Sequence, residues 1–265
     1  MLISQMITVQ EMTDKVSRYK RFAPATLKGW KYGIRGFETM PVDQIDLDFV
    51  DDRRCALLYK DYKESYVRTL LGYCGTIWKW GMKRRCVDRN PWRGSLEGLE
   101  AGKKKYPFLP LEHYSACGLT LHPVFMALWY HGFRVSEITG IKPEQIHADA
   151  DIPYFDIIDN ETRGIKNEPS RREVPMHPLY LAGNFHLKHP FSDNPKSGDN
   201  FSRWMKHRCG HSAHGIRHNI ATRMRKAGIE YSIAASILGH KPVGMTAQYG
   251  DILLEDKFEQ LQKLR

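Results

Sequence analysis

The sequence is short of cysteine, of long apolar runs and of acidic charge, and each shortage excludes something. The five cysteines, Cys55, Cys74, Cys86, Cys117 and Cys209, are an odd number with no C-x-x-C pair. That excludes a disulfide scaffold and points to a reducing compartment. No apolar stretch approaches the ~20 residues that a membrane-spanning helix needs. The N-terminus MLISQMITVQEMTDK lacks the basic start and apolar core of a signal peptide. The expectation is a cytoplasmic protein with no membrane partner. Internal repeats and low-complexity tracts are also missing.

What is present is positive charge. Lys and Arg number 40 against 30 Asp and Glu, a net +10, with a pI near 9.3. Residues 1–103 carry 19 basic and 13 acidic side chains and the remainder 21 and 17, so both halves are basic, as in a clamp. A polyanion is the first partner to consider, and nucleic acid outranks a membrane surface. With 265 residues, 42% of them hydrophobic, the chain has the material for one large or two modest domains with buried cores.

Apolar spacing makes the first half helical. In ATLKGWKYGIRGF, Leu27, Trp30, Ile34 and Phe37 recur at helical intervals, with Thr26 after Pro24 as the start. From Ser65 to Met82 the set Val67, Leu70, Leu71, Cys74, Ile77, Trp78 and Met82 follows 3.6 residues per turn and ends before Asn90-Pro91. The stretch GSLEGLEAGKKKYPFLP, with three lysines, glycines and two prolines, reads as a linker and puts a domain boundary near residue 103. Beyond it, Leu111 to Leu119 and Pro123 to Gly132 read as helices. IPYFDII and REVPM alternate as two strands of a small sheet or hairpin around NETRGIKNEPS. From Asn200 the chain reads as helices, with Gly228 and Gly239 as stops and an apolar stripe Leu253, Leu254, Phe258, Leu261 and Leu264 on the last. The fold class expected is mainly α with a small β-sheet (α+β).

Four pieces are awkward for pure packing. Arg134 follows the apolar segment ALWYHGF, although a helical ion pair with Glu137 would account for it alone. Lys166 sits at the hairpin tip with Arg171 and Arg172 behind it, where a solvated basic turn is the plainer account. His214 and Arg217 share a helix face in HGIRH, as cap residues would. His240 follows a glycine stop, with Tyr249 nine residues on. Together, two arginines, a lysine, two histidines and a tyrosine without clustered carboxylates define a site for an anion with a phenolic nucleophile. Guanidinium forks stabilise phosphoryl oxygens, and a tyrosine can attack phosphorus without a metal or another cofactor.

The order and spacing of these pieces resemble the tyrosine recombinases, or phage-type integrases, over most of the chain. HGFRVSEI resembles the family's first-arginine motif, with His131 where threonine is usual. IKNEPSRREVP resembles the lysine hairpin, HGIRH the H-x-x-R box, LGH the second-histidine motif and TAQYGD the nucleophile motif. Asn90, Pro91 and Trp92 resemble the end of the family's helical core-binding domain. The resemblance implies a SAM-like DNA-binding domain over 1–103 and a DNA breaking-rejoining catalytic domain over 104–265.

It also implies that Arg134 and Arg217 clamp the scissile phosphate, with His240 hydrogen-bonding it. Lys166 would protonate the leaving 5′ oxygen, although hairpin lengths vary and Arg163, Arg171 or Arg172 could lie closer to the DNA. His214 would accept the tyrosine proton, and Tyr249 would attack to give a 3′-phosphotyrosine. The partners implied are double-stranded DNA, three further copies in a tetramer formed by monomers on synapsed sites, and a DNA-bending accessory protein, in a nucleoid-associated protein of bacterial, phage or mobile-element origin. The apolar stripe of the final helix could pack on its own domain, while the resemblance favours docking on a neighbouring protomer. Family members often carry an N-terminal arm-binding domain, and only about twenty-five residues precede the first clear helix here, which reads as a simpler or truncated layout.

Candidate DNA contacts are Lys28, Lys31, Arg68, Lys79, Lys83, Arg84 and Arg85 in the helical half, Lys103, Lys104 and Lys105 in the linker, and Arg171 and Arg172 behind the hairpin. A zinc site within His207, Cys209, His211, His214 and His218 lacks a second ligand pair at finger spacing, so no metal is expected. The rival readings are a type IB topoisomerase-like relaxing enzyme and a non-catalytic DNA-binding protein.

Overall fold

The structure, a computed structural model, describes residues 7–102, 106–165, 168–240 and 252–264. The chain divides into two compact units, Met1–Lys104 and Lys105–Arg265, each with its own apolar core.

The first unit holds α1 (Val9–Ser17), α2 (Pro24–Gly33), α3 (Leu47–Tyr59) and α4 (Glu64–Lys83). Helix α1 starts at a capping box, in which Thr8 Oγ1 accepts from the Glu11 amide and the Glu11 carboxylate accepts from the Thr8 amide. Helix α2 begins at Pro24, where a missing N–H costs nothing, two residues before the expected start. It stops at Gly33, so Ile34 and Phe37, expected in the helix, enter the core from its cap and the following turn. The apolar side of α4 is buried at Val67, Leu70, Leu71, Cys74, Ile77 and Trp78, as its spacing predicts, whereas Met82 of the same set is exposed in the last turn. Asn90 then turns the chain: its Nδ2 donates to Gly75 O and its Oδ1 accepts from the Trp92 amide. This seats Trp92 against Phe37 and Trp78.

The second unit runs α5 (Leu111–Ala116), α6 (Pro123–His131), α7 (Val135–Thr139), β1 (Ile146–His147), β2 (Tyr154–Ile157), β3 (Arg172–Pro175), α8 (Pro178–Ala182), α9 (Ser197–Cys209), α10 (Ala213–Lys226), α11 (Tyr231–Leu238) and α12 (Leu254–Leu261). The sheet is antiparallel in the order β1-β2-β3, with Phe155 opposite Val174 and Ile157 opposite Arg172. Phe155, Ile157 and Val174 feed one core with α6, α10 and α11. Mainly helical structure with one small sheet matches the expected fold class.

The final helix is packed on its own unit rather than left for a neighbour. Leu261 and Leu264 are buried in the core, Lys257 Nζ donates to Glu173 O, and His177 Nε2 donates to Leu264 O at 2.8 Å. That Nε2 proton follows from Nδ1, which accepts from the Leu179 amide as an N-cap of α8. His131 lies deeper still: Nδ1 bonds to Ala127 O and Nε2 accepts from the His177 amide at 2.9 Å, so it ties α6 to α8 as a neutral ring. Burial pushes its pKa down to about 3. No helix among the described residues is long and apolar enough to cross a membrane.

Candidate active site

Three of the expected site residues, Arg134, Arg217 and His240, meet at the C-terminus of α11. That helix ends in Gly239, at φ +64°, with its amide bonded to Ser236 O and the His240 amide to Ala235 O. The last carbonyls of a helix have no partner within it and carry the negative end of its dipole. Three arginines from three other elements supply partners in succession. Arg172 Nε, from β3, donates to Ile237 O at 2.7 Å. Arg217 Nη2, from α10, donates to Leu238 O. Arg134 Nη2, at the cap of α7, donates to Gly239 O at 3.0 Å. A Cβ at Gly239 would stand 2.8 Å from Arg172 Nη1, so glycine is needed here for space as well as for φ.

Glu137 binds two of these cations together. Its Oε1 accepts from Arg134 Nη1 at 2.6 Å and Arg172 Nη1 at 3.3 Å, and its Oε2 from the Arg134 amide at 2.8 Å and Arg172 Nη2 at 3.0 Å. Burial alone would raise its pKa. The charge and hydrogen bonds of Arg172, with those of Arg134, overcome this and bring it down to about 2, so the carboxylate is ionised at neutral pH. Ser170 completes the cluster, its Oγ accepting from Arg134 Nη1 and its carbonyl from Arg172 Nη1.

Arg217 is only 5% exposed and also donates from Nη1 to Gly132 O at 2.7 Å. Gly132 must itself be glycine: its φ is +67° and a Cβ would come within 2.4 Å of Ile220 Cγ2. The residue that ends α6 is therefore fastened to the arginine of α10. Burial, and then Arg134, hold the Arg217 pKa below its ordinary value, a repulsion that an arriving anion relieves. Among the described residues, hydrogen bonds occupy three of the five N–H groups of Arg134 and two of those of Arg217, which leaves both forks with donors to spare. His240 emerges beside them on the exposed side; partial burial, then Arg217, Arg134 and Arg172, push its pKa down and keep it neutral.

His214 lies in the first turn of α10, whose cap Ser212 accepts from the Gly215 amide. It is exposed, one turn before His218. Lys166, Tyr249 and Lys103 to Lys105 lie outside the described residues.

One expected DNA contact is placed otherwise. Arg172 is 8% exposed and its guanidinium is taken up by Glu137, Ser170 O and Ile237 O, so it is an internal support and not a surface cation. Arg171, the preceding residue, is exposed and pairs with Asp159 at 2.9 Å. Arg68 is half-buried and donates to Leu96 O and Leu99 O, and Arg84 is half-buried over the Tyr19 ring. Lys28, Lys31, Lys79, Lys83 and Arg85 are exposed, with Lys83 over Trp80. Sequence reasoning missed Glu137 as a shared acceptor, Ser170, and Tyr106, whose ring lies on His218. Among the described residues, no group of three or more His, Cys, Asp or Glu stands together to hold a metal ion.

Comparison with known proteins agrees with the motif resemblance. Residues 188–254, a span that includes His214, Arg217, His240 and Tyr249, match the model of the Phage integrase family. No curated protein matches. Among solved structures, the integrase of transposon Tn1549 in complex with transposon right end DNA is 16% identical, with 97% of this chain and 99% of that chain covered and a TM-score of 0.67. A lambda integrase dimer bound to a COC′ core site is 16% identical over 92% of this chain and 96% of that one, at a TM-score of 0.65. A lambda integrase tetramer bound to a Holliday junction is 15% identical over 94% and 78%, also at 0.65. At these identities the likeness is one of fold, and the fold is that of these integrases.

Proposed function

We propose that the chain is a site-specific DNA recombinase that cleaves and rejoins DNA through a 3′-phosphotyrosine intermediate, for integration or excision. The observation that carries this is the convergence of Arg134 and Arg217, far apart in the sequence, on the adjacent carbonyls of Leu238 and Gly239, with His240 next in the chain. Two guanidinium forks rigidly held by carbonyls and a carboxylate, with N–H groups left over, form a preorganised cradle for a phosphodiester.

In this reading Arg134 and Arg217 bind the non-bridging oxygens and His240 donates a further hydrogen bond. Tyr249 Oη attacks phosphorus and gives its proton to His214. The bond from phosphorus to the 5′ oxygen breaks, and Lys166 protonates that oxygen. The phosphotyrosine retains the energy of the broken bond, so a 5′ hydroxyl from a second duplex reverses the step on a new strand. No metal or cofactor takes part. Residues 1–103 serve as the core-type DNA-binding domain and 104–265 as the catalytic domain. The exposed cations Lys28, Lys31, Lys79, Lys83, Arg85 and Arg171 supply salt-dependent affinity for double-stranded DNA, and the linker lysines Lys103 to Lys105 add to it by their charge. Synapsis of two sites uses four protomers.

The test is strand exchange in EDTA between two labelled duplexes selected for binding from DNA adjoining the gene. Recombinant strands are expected. Relaxation of supercoiled DNA without exchange would make the protein a relaxing enzyme, and binding with neither would make it a DNA-binding protein without catalysis.

A further inference from the structure

The chain leaving the linker is strapped along α10. Residues 106–110, YPFLP, are irregular in structure, with Pro107 and Pro110 restricting φ. Three fastenings hold them. Tyr106 stacks on His218, with ring centroids 4.5 Å apart and planes at 14°. Phe108 carries Lys226 Nζ 4.8 Å from its centroid. Leu109 O accepts from Asn219 Nδ2 at 3.0 Å. The same Tyr106 ring meets His214 edge-on, at 5.3 Å and 76°, and His218 meets His214 at 4.9 Å and 87°.

His214 is exposed at the start of its helix, where the rings of Tyr106 and His218 both meet it edge-on. A proton acceptor works only at the correct angle and distance. We infer that Tyr106 is a positioning residue for His214: its ring, anchored on His218, confines the imidazole to one orientation. The inference rests on the reading of His214 given above.

The experiment is a double-mutant cycle on the full chain with a nicked duplex, measuring the single-turnover cleavage rate, DNA affinity and thermal stability of the wild type, Tyr106→Ala, Tyr106→Phe, His214→Ala and Tyr106→Ala with His214→Ala. Tyr106→Ala is expected to slow cleavage about tenfold at unchanged DNA affinity, below the roughly hundredfold cost of a 1 Å misplacement. Tyr106→Phe, which keeps the stack, retains the wild-type rate. In the His214→Ala background, Tyr106→Ala has no further effect. Wild-type cleavage by Tyr106→Ala, a parallel loss of affinity and rate, or effects that multiply in the double variant would overturn the inference. If His214→Ala cleaves at the wild-type rate, the role given to His214 fails and the inference falls with it.

Discussion

Replacing Arg172 with alanine should be among the most destabilising changes in the second unit. The guanidinium is buried and makes two hydrogen bonds to Glu137, one to Ser170 O and one to Ile237 O. Glu137 holds its proton at a pKa of about 2 against an ordinary 4.5. That difference corresponds to about 3 kcal/mol, the net of what Arg172 and Arg134 supply over the cost of burying the carboxylate. Removing one partner of a buried pair costs ~3–5 kcal/mol by independent measure, because the other charge stays buried. We therefore expect a loss of about 3 kcal/mol in urea titrations at pH 7, a large share of a typical domain's ~5–15 kcal/mol. Glu137→Gln combined with Arg172→Ala should cost at least ~1 kcal/mol less than the sum of the single changes. The pH dependence has a definite sign. A carboxylate with a depressed pKa contributes its full stability above the unfolded value near 4.5 and loses it as pH falls toward 2, so the gap between wild type and Arg172→Ala should narrow by about 1 kcal/mol at pH 4. A penalty below ~1 kcal/mol, or strict additivity in the cycle, would refute the account of Arg172 as an internal support.

Other outcomes follow from the same geometry. Arg134→Ala and Arg217→Ala should each lower the single-turnover cleavage rate by roughly 10²-fold or more, as when a transition-state donor is lost, and near-normal rates would count against the clamp. Cleavage should proceed unchanged in EDTA, and restoration by an added divalent ion would indicate a different nuclease chemistry. Stability should fall between pH 7 and pH 5, because the unfolded chain takes up protons below its histidine pKa of 6.5 while His131 and His189, buried with pKa values of about 3 and 4, do not. Each contributes about 2 kcal/mol to that loss at pH 5. A thermal midpoint that does not move over this range would show that these rings are not buried neutral.

The parts of the molecule that follow one periodicity were open to sequence reasoning. The buried side of α4 repeats every 3.6 residues, and α11 ends at the glycine that marks its stop. Arg134, His214, Arg217 and His240 stood out because charged and titratable groups beside apolar runs are costly unless they have work to do. As part of the basic run SRRE, Arg172 looks like a surface cation, and its inward direction is hidden. Strand neighbours point to opposite faces, so over residues 171–176 Arg172, Val174 and Met176 share the inward face and Arg171 and Glu173 the outward one. That alternation was a usable signal. The two-residue β1 carries no periodicity to read, and α9 begins in the polar run Ser197–Asn200, which has none either. The strap at Tyr106 brings residues more than a hundred positions apart into contact, and nothing local announces it.

The most direct test of the central claim is covalent trapping. Wild type and Tyr249→Phe are incubated with nicked duplexes from DNA adjoining the gene, then denatured, and the protein is examined for a DNA-shifted band. The account predicts the band with wild type alone, at equal DNA affinity for the two proteins. A band that persists in Tyr249→Phe, or none with a duplex that wild type binds, would contradict it.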